Sequence, residues 1–191
     1  MTGALSKHFF SPEEYLALEE TAEYKSEYYN GVIFAMAGGS LNHNRITSNI
    51  NAELNIALRG RPCSVFSSDM RLLVKKNGLY TYPDTAVVCG KVELVEGRND
   101  TITNPILLVE VLSPSTKNYD LKGKFALYQA LSSLQSYVVI DQERVYVEYY
   151  QRTGSNKWEL ETYENLTDAL SIKIIEVKLA LEAIYDKVEF D

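Results

Sequence analysis

The hydrophobic and polar positions of the chain predict helices that alternate with strands. The stretch SPEEYLALEE starts with Ser11 and Pro12, residues favoured at a helix N-cap and first turn, and it indicates a short helix. The stretch YDLKGKFALYQALSSL predicts a later helix. Residues 41–58 predict the longest helix, through apolar residues at helical spacing: Ile46, Ile50, Leu54, Ala57 and Leu58.

Several stretches predict strands. YKSEYYNGVIFAMAG fits two strands joined at Asn30-Gly31, a dipeptide typical of a type I′ hairpin. SVFSSDMRLLVKK and LYTYPDTAVVC predict two strands joined at Asn77-Gly78, and SYVVID, RVYVEYYQR and KWELETY predict three short ones. GKVELVEGRNDTITNP indicates a loop, and the tail from Ser171 mixes helix-like and strand-like signals.

This order of elements predicts a mixed α/β (α+β) fold around one sheet. No change of composition marks a boundary, so residues 1–191 are expected to form a single domain. The hydrophobic fraction of 46% and charged fraction of 24% are ordinary for a globular protein. The net charge of −7 argues against strong non-specific binding to nucleic acid, but it leaves room for a local basic groove.

The cysteines and termini bear on the cellular compartment. Cys63 and Cys89 lie in no CxxC motif and near no histidine, so two free thiols in a reducing compartment are expected. The N-terminus lacks the apolar core of a signal peptide, and no run approaches the roughly 18 apolar residues of a membrane span. The sequence therefore predicts a cytoplasmic protein without a membrane partner.

Glu110 lies in the middle of LLVEVLSPST, which otherwise has the pattern of a buried strand. Burying an unpaired carboxylate is costly, so this residue needs partners. Asp84, which follows Pro83, interrupts another apolar strand. If these strands are neighbours, the two carboxylates repel unless a cation lies between them, and Mg²⁺ is a cation that takes such ligands.

Lys124 falls within the apolar stripe of the helix that follows Glu110. The stripe includes Phe125 and Tyr128, so the lysine is directed towards the sheet and needs an anionic partner. Lys122 falls outside the stripe, as a solvated side chain would. An ordinary helical pair between Lys124 and Asp120 is the alternative interpretation.

The motifs YPD, LLVEVLSPST and YDLKGKFALY resemble the PD-(D/E)XK nuclease superfamily and, within it, the Uma-type restriction endonuclease family. The resemblance runs from about Ser11 to the C-terminus, and it includes SEYYNGVIFAMAGGSLNH and LEAIYDKVEF. It implies a restriction endonuclease-like fold, with a central mixed β-sheet flanked by helices. It also implies that Asp84, Glu110 and the backbone carbonyl of Val111 hold Mg²⁺ or Mn²⁺. The usual superfamily lysine position is occupied by Leu112, and Lys124 fits a role displaced to the next helix.

Other residues are weaker candidates. His43 lies on the core face of the long helix, either as a hydrogen-bonded structural histidine or, as the resemblance favours, at the mouth of the metal site. Glu27 matches a family glutamate and is either an auxiliary acid or a hairpin-edge charge. Glu53 and Asp69 are minor candidates. Trp158 is expected in the core, and a phosphate-contacting or merely solvated surface is expected from Arg45, Arg59, Arg61, Arg71, Lys75 and Lys76.

These observations predict a metal-dependent endonuclease that hydrolyses DNA, with Asp84, Glu110, Lys124, His43 and Glu27 as catalytic residues. Nucleases of this fold often pair to cut both strands, so a homodimer is compatible with this prediction. Two alternatives stay open. The acidic charge and Leu112 favour a nuclease-fold binding module that has lost cleavage, and a structural homodimer would need Glu110 and Lys124 only as a buried ion pair.

Overall fold

The structure, a computed structural model, describes residues 9–113 and 123–190. Within these ranges the α-helices are α1 (Pro12–Glu19), α2 (Leu41–Ala57), α3 (Phe125–Tyr128) and α4 (Leu181–Ile184). The strands are β1 (Ser26–Tyr29), β2 (Val32–Ala35), β3 (Cys63–Ser67), β4 (Arg71–Val74), β5 (Leu79–Thr81), β6 (Thr85–Cys89), β7 (Thr101–Ile102), β8 (Leu107–Leu112), β9 (Ser136–Asp141), β10 (Val147–Gly154), β11 (Lys157–Tyr163), β12 (Ala169–Ile172) and β13 (Val177–Ala180).

A six-stranded mixed sheet forms the centre, with strand order β11-β10-β9-β8-β6-β3. Strands β8 and β9 run parallel, whereas β6 is antiparallel to both β8 and β3. A five-stranded sheet with order β2-β1-β5-β4-β7 and a two-stranded sheet of β12 and β13 accompany it. The mixed layering is confirmed, but the prediction of one sheet missed the smaller sheets.

Strand β8 is buried on both faces and separates two parts of the core. Leu107, Val109 and Val111 pack with α2 and the C-terminal segment, where apolar residues of α2 and α4 meet. Leu108 and Leu112 pack on the other face, with residues of β4, β5 and α3. Side chains alternate across a strand, so Glu110 shares the face of Leu108 and Leu112. This alternation directs the carboxylate towards α3 and the five-stranded sheet.

Local sequence signals account for several elements. Ser11 caps α1 in a capping box with Glu14, which satisfies amide groups that a helix start leaves unpaired. Helix α2 covers the predicted segment almost completely. Asn30 and Gly31 have φ values of 48° and 79°, as a type I′ hairpin turn requires. The hairpin prediction is therefore confirmed.

The strand predictions on either side of Asn77-Gly78 were too long. SVFSSDMRLLVKK divides into β3 and β4, and LYTYPDTAVVC divides into β5 and β6, so that each predicted strand contributes to two sheets. The second break lies at Pro83, which has no N–H to donate to a ladder. Because of this break Asp84 stands immediately before β6 rather than inside a strand.

The helix after Glu110 and the polar loop also differ from prediction. Helix α3 ends at Tyr128, and the predicted start of this helix, including Asp120 and Lys122, lies outside the described residues. The short strand β7 pairs with β4 inside the segment predicted as a loop. Strands β12 and β13, a 3-10 turn (Lys173–Ile175) and α4 form most of the unassigned tail.

The prediction of free thiols was wrong. Cys63 and Cys89 face each other on β3 and β6 and are joined by a disulfide. The pairing is a tertiary contact between strands 26 residues apart in sequence, which explains why cysteine spacing alone did not reveal it. Within the described part of the chain, no helix is long and apolar enough to cross a membrane.

Reduction of the disulfide is expected to destabilise the protein. A cross-link over a loop of this length removes unfolded-state entropy worth about 3 kcal/mol. Thermal melting with and without reductant measures the effect, and a thiol titration of the unfolded protein should find free thiols only after reduction. The Cys63→Ala/Cys89→Ala variant should melt at the same temperature in both conditions. An identical melting temperature for reduced and oxidised wild type would contradict the prediction.

Candidate active site

The buried carboxylate of Glu110 has two described partners on the polypeptide that follows it. The Tyr128 hydroxyl donates a hydrogen bond of 2.7 Å to Glu110 Oε1, and Lys124 Nζ lies 3.4 Å from the same oxygen. The Glu110 side chain is 4% exposed, so these contacts are made away from bulk water. They are partners of the kind that a buried carboxylate needs to offset the cost of its desolvation.

Lys124 connects the two large sheets. Its side chain is 8% exposed, and its Nζ lies 2.8 Å from Oε1 of Glu27 on β1. The same Glu27 oxygen accepts a hydrogen bond of 2.5 Å from the Thr81 hydroxyl on β5. The ammonium therefore lies between a carboxylate of the central sheet and one of the five-stranded sheet. Asp120, the alternative partner, lies outside the described residues.

Tyr128 keeps its proton in this cluster. Burial, followed by the negative charges of Glu110 and Glu27, raises the pKa of the Tyr128 hydroxyl well above its ordinary value. A protonated hydroxyl is the form that donates to a carboxylate. Tyr128 is therefore a fixed hydrogen-bond donor that orients Glu110.

Asp84 stands opposite Glu110 at the start of β6. The register pairs Thr85 with Val109, so its continuation by one residue places Asp84 across from Glu110. Asp84 Oδ2 accepts a hydrogen bond of 2.7 Å from the Val111 N–H. A residue in an extended strand directs its N–H and C=O to the same side, so the Val111 carbonyl faces the side of Asp84.

His43 approaches Asp84 from the start of α2. Its Nε2 lies 3.3 Å from Asp84 Oδ2, and its side chain is 18% exposed. Ser40 caps this helix by accepting a hydrogen bond of 3.1 Å from the His43 N–H, and the Ser40 hydroxyl donates to Gln142. The histidine is thus fixed by the first turn of α2, which is anchored to the end of β9.

The donor set fits a hard divalent cation. The formal charge of the cluster is −2 when His43 is neutral, because it contains three carboxylates and one ammonium: those of Asp84, Glu110, Glu27 and Lys124. Mg²⁺ commonly binds through one or two carboxylates and keeps several waters. Among residues 9–113 and 123–190, no group of three or more His, Cys, Asp or Glu side chains forms a ready metal site. A site here would therefore combine two carboxylates with the backbone oxygen of Val111 and with water.

Leu112 is part of the apolar packing around β8. Two residues after Glu110, it lies on the same face of β8 and is buried among residues of the second core region. A lysine there would have to be buried beside that apolar cluster. Lys124 brings its ammonium to Glu110 from the helix end instead, so Leu112 can complete the packing.

The remaining candidates are distributed elsewhere. Asp69 is exposed and pairs with Lys25, and no described contact joins Glu53 to the cluster. Trp158 packs against the core, as predicted. Three of the basic candidates are engaged within the protein: Arg71 is buried, Arg45 pairs with Glu189 and Arg61 donates to a backbone carbonyl.

A second buried polar cluster fixes the segment that precedes Asp84. The Tyr82 hydroxyl donates to Glu19 and accepts from Arg71 at 2.7 and 2.8 Å. Burial and the hydrogen bond to Glu19 raise the pKa of Tyr82 to about 12. Asp100 Oδ2 lies 3.5 Å from Arg71 Nη1. Because Tyr82 is two residues before Asp84, this cluster holds the chain where it passes from β5 to β6.

Sequence reasoning missed Thr81 and Gly39 as parts of the site, and it treated Tyr128 mainly as core. The placement of Tyr128 one helical turn after Lys124 was a signal that both face the sheet. Thr81 gave none, because its contact with Glu27 depends on β1 pairing with β5. A Cβ on Gly39 would lie 2.6 Å from Nδ1 of His43, so the imidazole needs glycine at this position.

Comparisons with known proteins find relatives over most of the chain. The "Uncharacterized protein slr1290" of Synechocystis sp. is 37% identical over 182 residues, which cover 94% of this chain and 93% of that protein. The "Uncharacterized protein sll1609" of the same organism is 40% identical over 145 residues, which cover 76% of this chain and 82% of the relative.

A solved structure, described as "a putative nuclease belonging to DUF820 from Anabaena variabilis", has a TM-score of 0.75 and 19% sequence identity. The similarity covers 94% of this chain and 99% of that one. The fold defines the class, a restriction endonuclease-like protein. The profile of the Uma2 family, described as "Putative restriction endonuclease", matches residues 12–183, and the chain belongs to this family.

A glycine pair before α2 allows a matched test of the position of His43. Gly39→Ala should displace the imidazole from Asp84, whereas Gly38→Ala should not, because no atom lies within 4 Å of a Cβ at residue 38. We expect the side-chain NMR signals of His43 to shift in Gly39→Ala and to stay in place in Gly38→Ala. Equal spectra for the two variants would show that the Gly39 contact does not determine the histidine position.

Proposed function

We propose that this protein is a metal-dependent endonuclease of the PD-(D/E)XK type that hydrolyses phosphodiester bonds of DNA. The observation that carries the proposal is the buried ammonium of Lys124, which lies 2.8 Å from Glu27 and 3.4 Å from Glu110. Glu110 is on β8, which pairs with the strand that begins just after Asp84. Membership of the Uma2 family supports the same class of reaction.

The proposed roles follow from the chemistry of each group. Asp84, Glu110 and the Val111 carbonyl would hold Mg²⁺ or Mn²⁺, which when bound supplies Lewis-acid stabilisation of phosphate charge and a more acidic water. Lys124, which lies beside Glu27 and Glu110, donates hydrogen bonds to the phosphate oxygens as negative charge builds. His43 contacts a phosphate oxygen or orients the attacking water from the Asp84 side.

The reaction balances as a simple hydrolysis. Water attacks phosphorus, the bond to the 3′-oxygen breaks, and the products carry a 5′-phosphate and a 3′-hydroxyl. The proton lost by the attacking water is matched by the proton gained by the departing 3′-oxygen. Glu27 is an auxiliary acid in this scheme. It does not touch the reacting atoms, and its carboxylate positions Lys124.

A binding module that kept the fold and lost efficient cleavage is the second candidate. The net charge of −7 and the apolar side chain of Leu112 favour it. We also propose, as part of the nuclease proposal, a homodimer, a cytoplasmic location and a single domain over residues 1–191. The disulfide removes one argument for the cytoplasm, since free thiols were part of that expectation.

Plasmid DNA should be nicked or linearised by wild-type protein with Mg²⁺ or Mn²⁺, and EDTA should abolish cleavage. Asp84→Asn, Glu110→Gln and Lys124→Met should each lower the rate by about 100-fold or more, since each removes charge from the reaction centre. Gel electrophoresis over time measures the rates.

Lys173→Met is the matched control, because Lys173 pairs with Glu161 on β11, an edge strand of the central sheet that is separated from β8 by two strands. It should cut as fast as wild type. Equal rates for wild type and all three site variants would remove these residues from the mechanism. No cleavage with any divalent metal would favour the binding module.

Metal binding should also appear as stabilisation of the folded protein. At a metal concentration about 100 times the Kd, Mn²⁺ should stabilise wild type by about 2.7 kcal/mol and raise its melting temperature. Asp84→Asn and Glu110→Gln should lose this shift, and Asp69→Asn, a surface control, should retain it. A wild type that melts identically with and without metal would support a purely structural ion pair.

A further inference from the structure

Phe34 is an exposed aromatic residue beside the candidate active site. It lies on β2, the edge strand of the five-stranded sheet, and is 45% exposed. The antiparallel register pairs Phe34 directly with Glu27. Directly paired residues place their side chains on the same face with Cβ atoms about 5 Å apart. The phenyl ring therefore neighbours the carboxylate that holds Lys124.

The face of β2 that carries Phe34 is open to solvent. Val32, two residues before Phe34, shares its face and is 40% exposed, whereas Ile33 packs on the opposite face against the tyrosines of α1, β1 and β5. Edge strands usually carry charges that prevent pairing with other chains. Strand β11, one of the two edges of the central sheet, has such charges, but β2 has none: its residues are Val32, Ile33, Phe34 and Ala35.

Electrostatic attraction offers this protein little affinity for nucleic acid. The net charge is −7, and Lys124 is already between two carboxylates. Four further cations are paired with acids: Lys25 with Asp69, Arg45 with Glu189, Arg98 with Asp100, and Lys173 with Glu161. Binding that depends on phosphate contacts would be weak. Stacking of a base on an aromatic ring does not require positive charge.

We propose that Phe34 is a stacking platform for a base next to the phosphate that is cut, and that the preferred substrate is single-stranded DNA. This inference rests on the proposed nuclease function and specifies its substrate class. In a duplex, neighbouring base pairs cover both faces of each base, whereas an unpaired base offers a free face to the ring. Phe34 is thus a specificity-determining residue that touches the substrate without taking part in bond breaking.

The test is binding of a fluorescent single-stranded oligonucleotide and of the same sequence as a duplex, measured by anisotropy in EDTA to prevent cleavage. Wild type should prefer the single strand. Phe34→Ala should weaken single-strand binding by about 5- to 100-fold and change duplex binding by less than about twofold. Phe34→Trp should retain the preference.

Two further variants separate stacking from general hydrophobicity and from loss of fold. Phe34→Leu keeps an apolar side chain but removes the aromatic face, and it should lose single-strand affinity as Phe34→Ala does. Val32→Ala, on the same face of the same strand, should bind as wild type does. Thermal melting of each variant establishes that it is folded.

Several outcomes would overturn the inference. They are undetectable binding of single strands by wild type, equal loss of single-strand and duplex binding in Phe34→Ala, and full affinity in Phe34→Leu. Size-exclusion chromatography adds another: if Phe34→Ala converts a dimer to a monomer with unchanged DNA affinity, β2 is a self-association edge instead.

Failure of the inference is distinguishable from failure of the proposed function. If plasmid cleavage requires Glu110 and Lys124 but Phe34→Ala binds single strands as wild type does, the nuclease proposal is supported and the proposal of a stacking platform is wrong. If no metal supports cleavage but single-strand binding depends on the ring at residue 34, the proposal of a stacking platform is supported and the proposal of a hydrolase is wrong.

Discussion

Neutralising one buried carboxylate organises this end of the molecule. Glu110 lies within a strand whose other residues are apolar, so its charge must be balanced by groups from outside the sheet. The ammonium of Lys124 and the hydroxyl of Tyr128 do this from one helical turn, and Glu27 brings the second sheet to the same ammonium. The polar contacts that neutralise Glu110 therefore also join the two sheets.

The sequence revealed the parts of this arrangement that depend on local patterns. The helical wheel placed Lys124 on the core face because its neighbours Phe125 and Tyr128 are apolar, and Asn30-Gly31 specified a turn by its backbone preferences. The acidic residues stood out because they interrupt apolar strands. Each of these signals is contained in a few consecutive residues.

What the sequence did not reveal depends on pairing between distant segments. The disulfide between Cys63 and Cys89 and the contact of Thr81 with Glu27 exist because particular strands are neighbours. The division of two predicted strands between sheets has the same origin, since a proline such as Pro83 is compatible with either a bulge or a break in a strand. Cross-sheet partners follow from topology, which local periodicity does not encode.

Strand β6 is held at both of its ends, by the Asp84–Val111 hydrogen bond at its start and by the covalent link of Cys89 to β3 at its finish. A strand can in principle slide along its neighbours, and each step moves it by about 3.4 Å and turns every side chain to the opposite face. Anchoring at both ends forbids such slippage. The carboxylate of Asp84 thus keeps a fixed depth and orientation relative to Glu110.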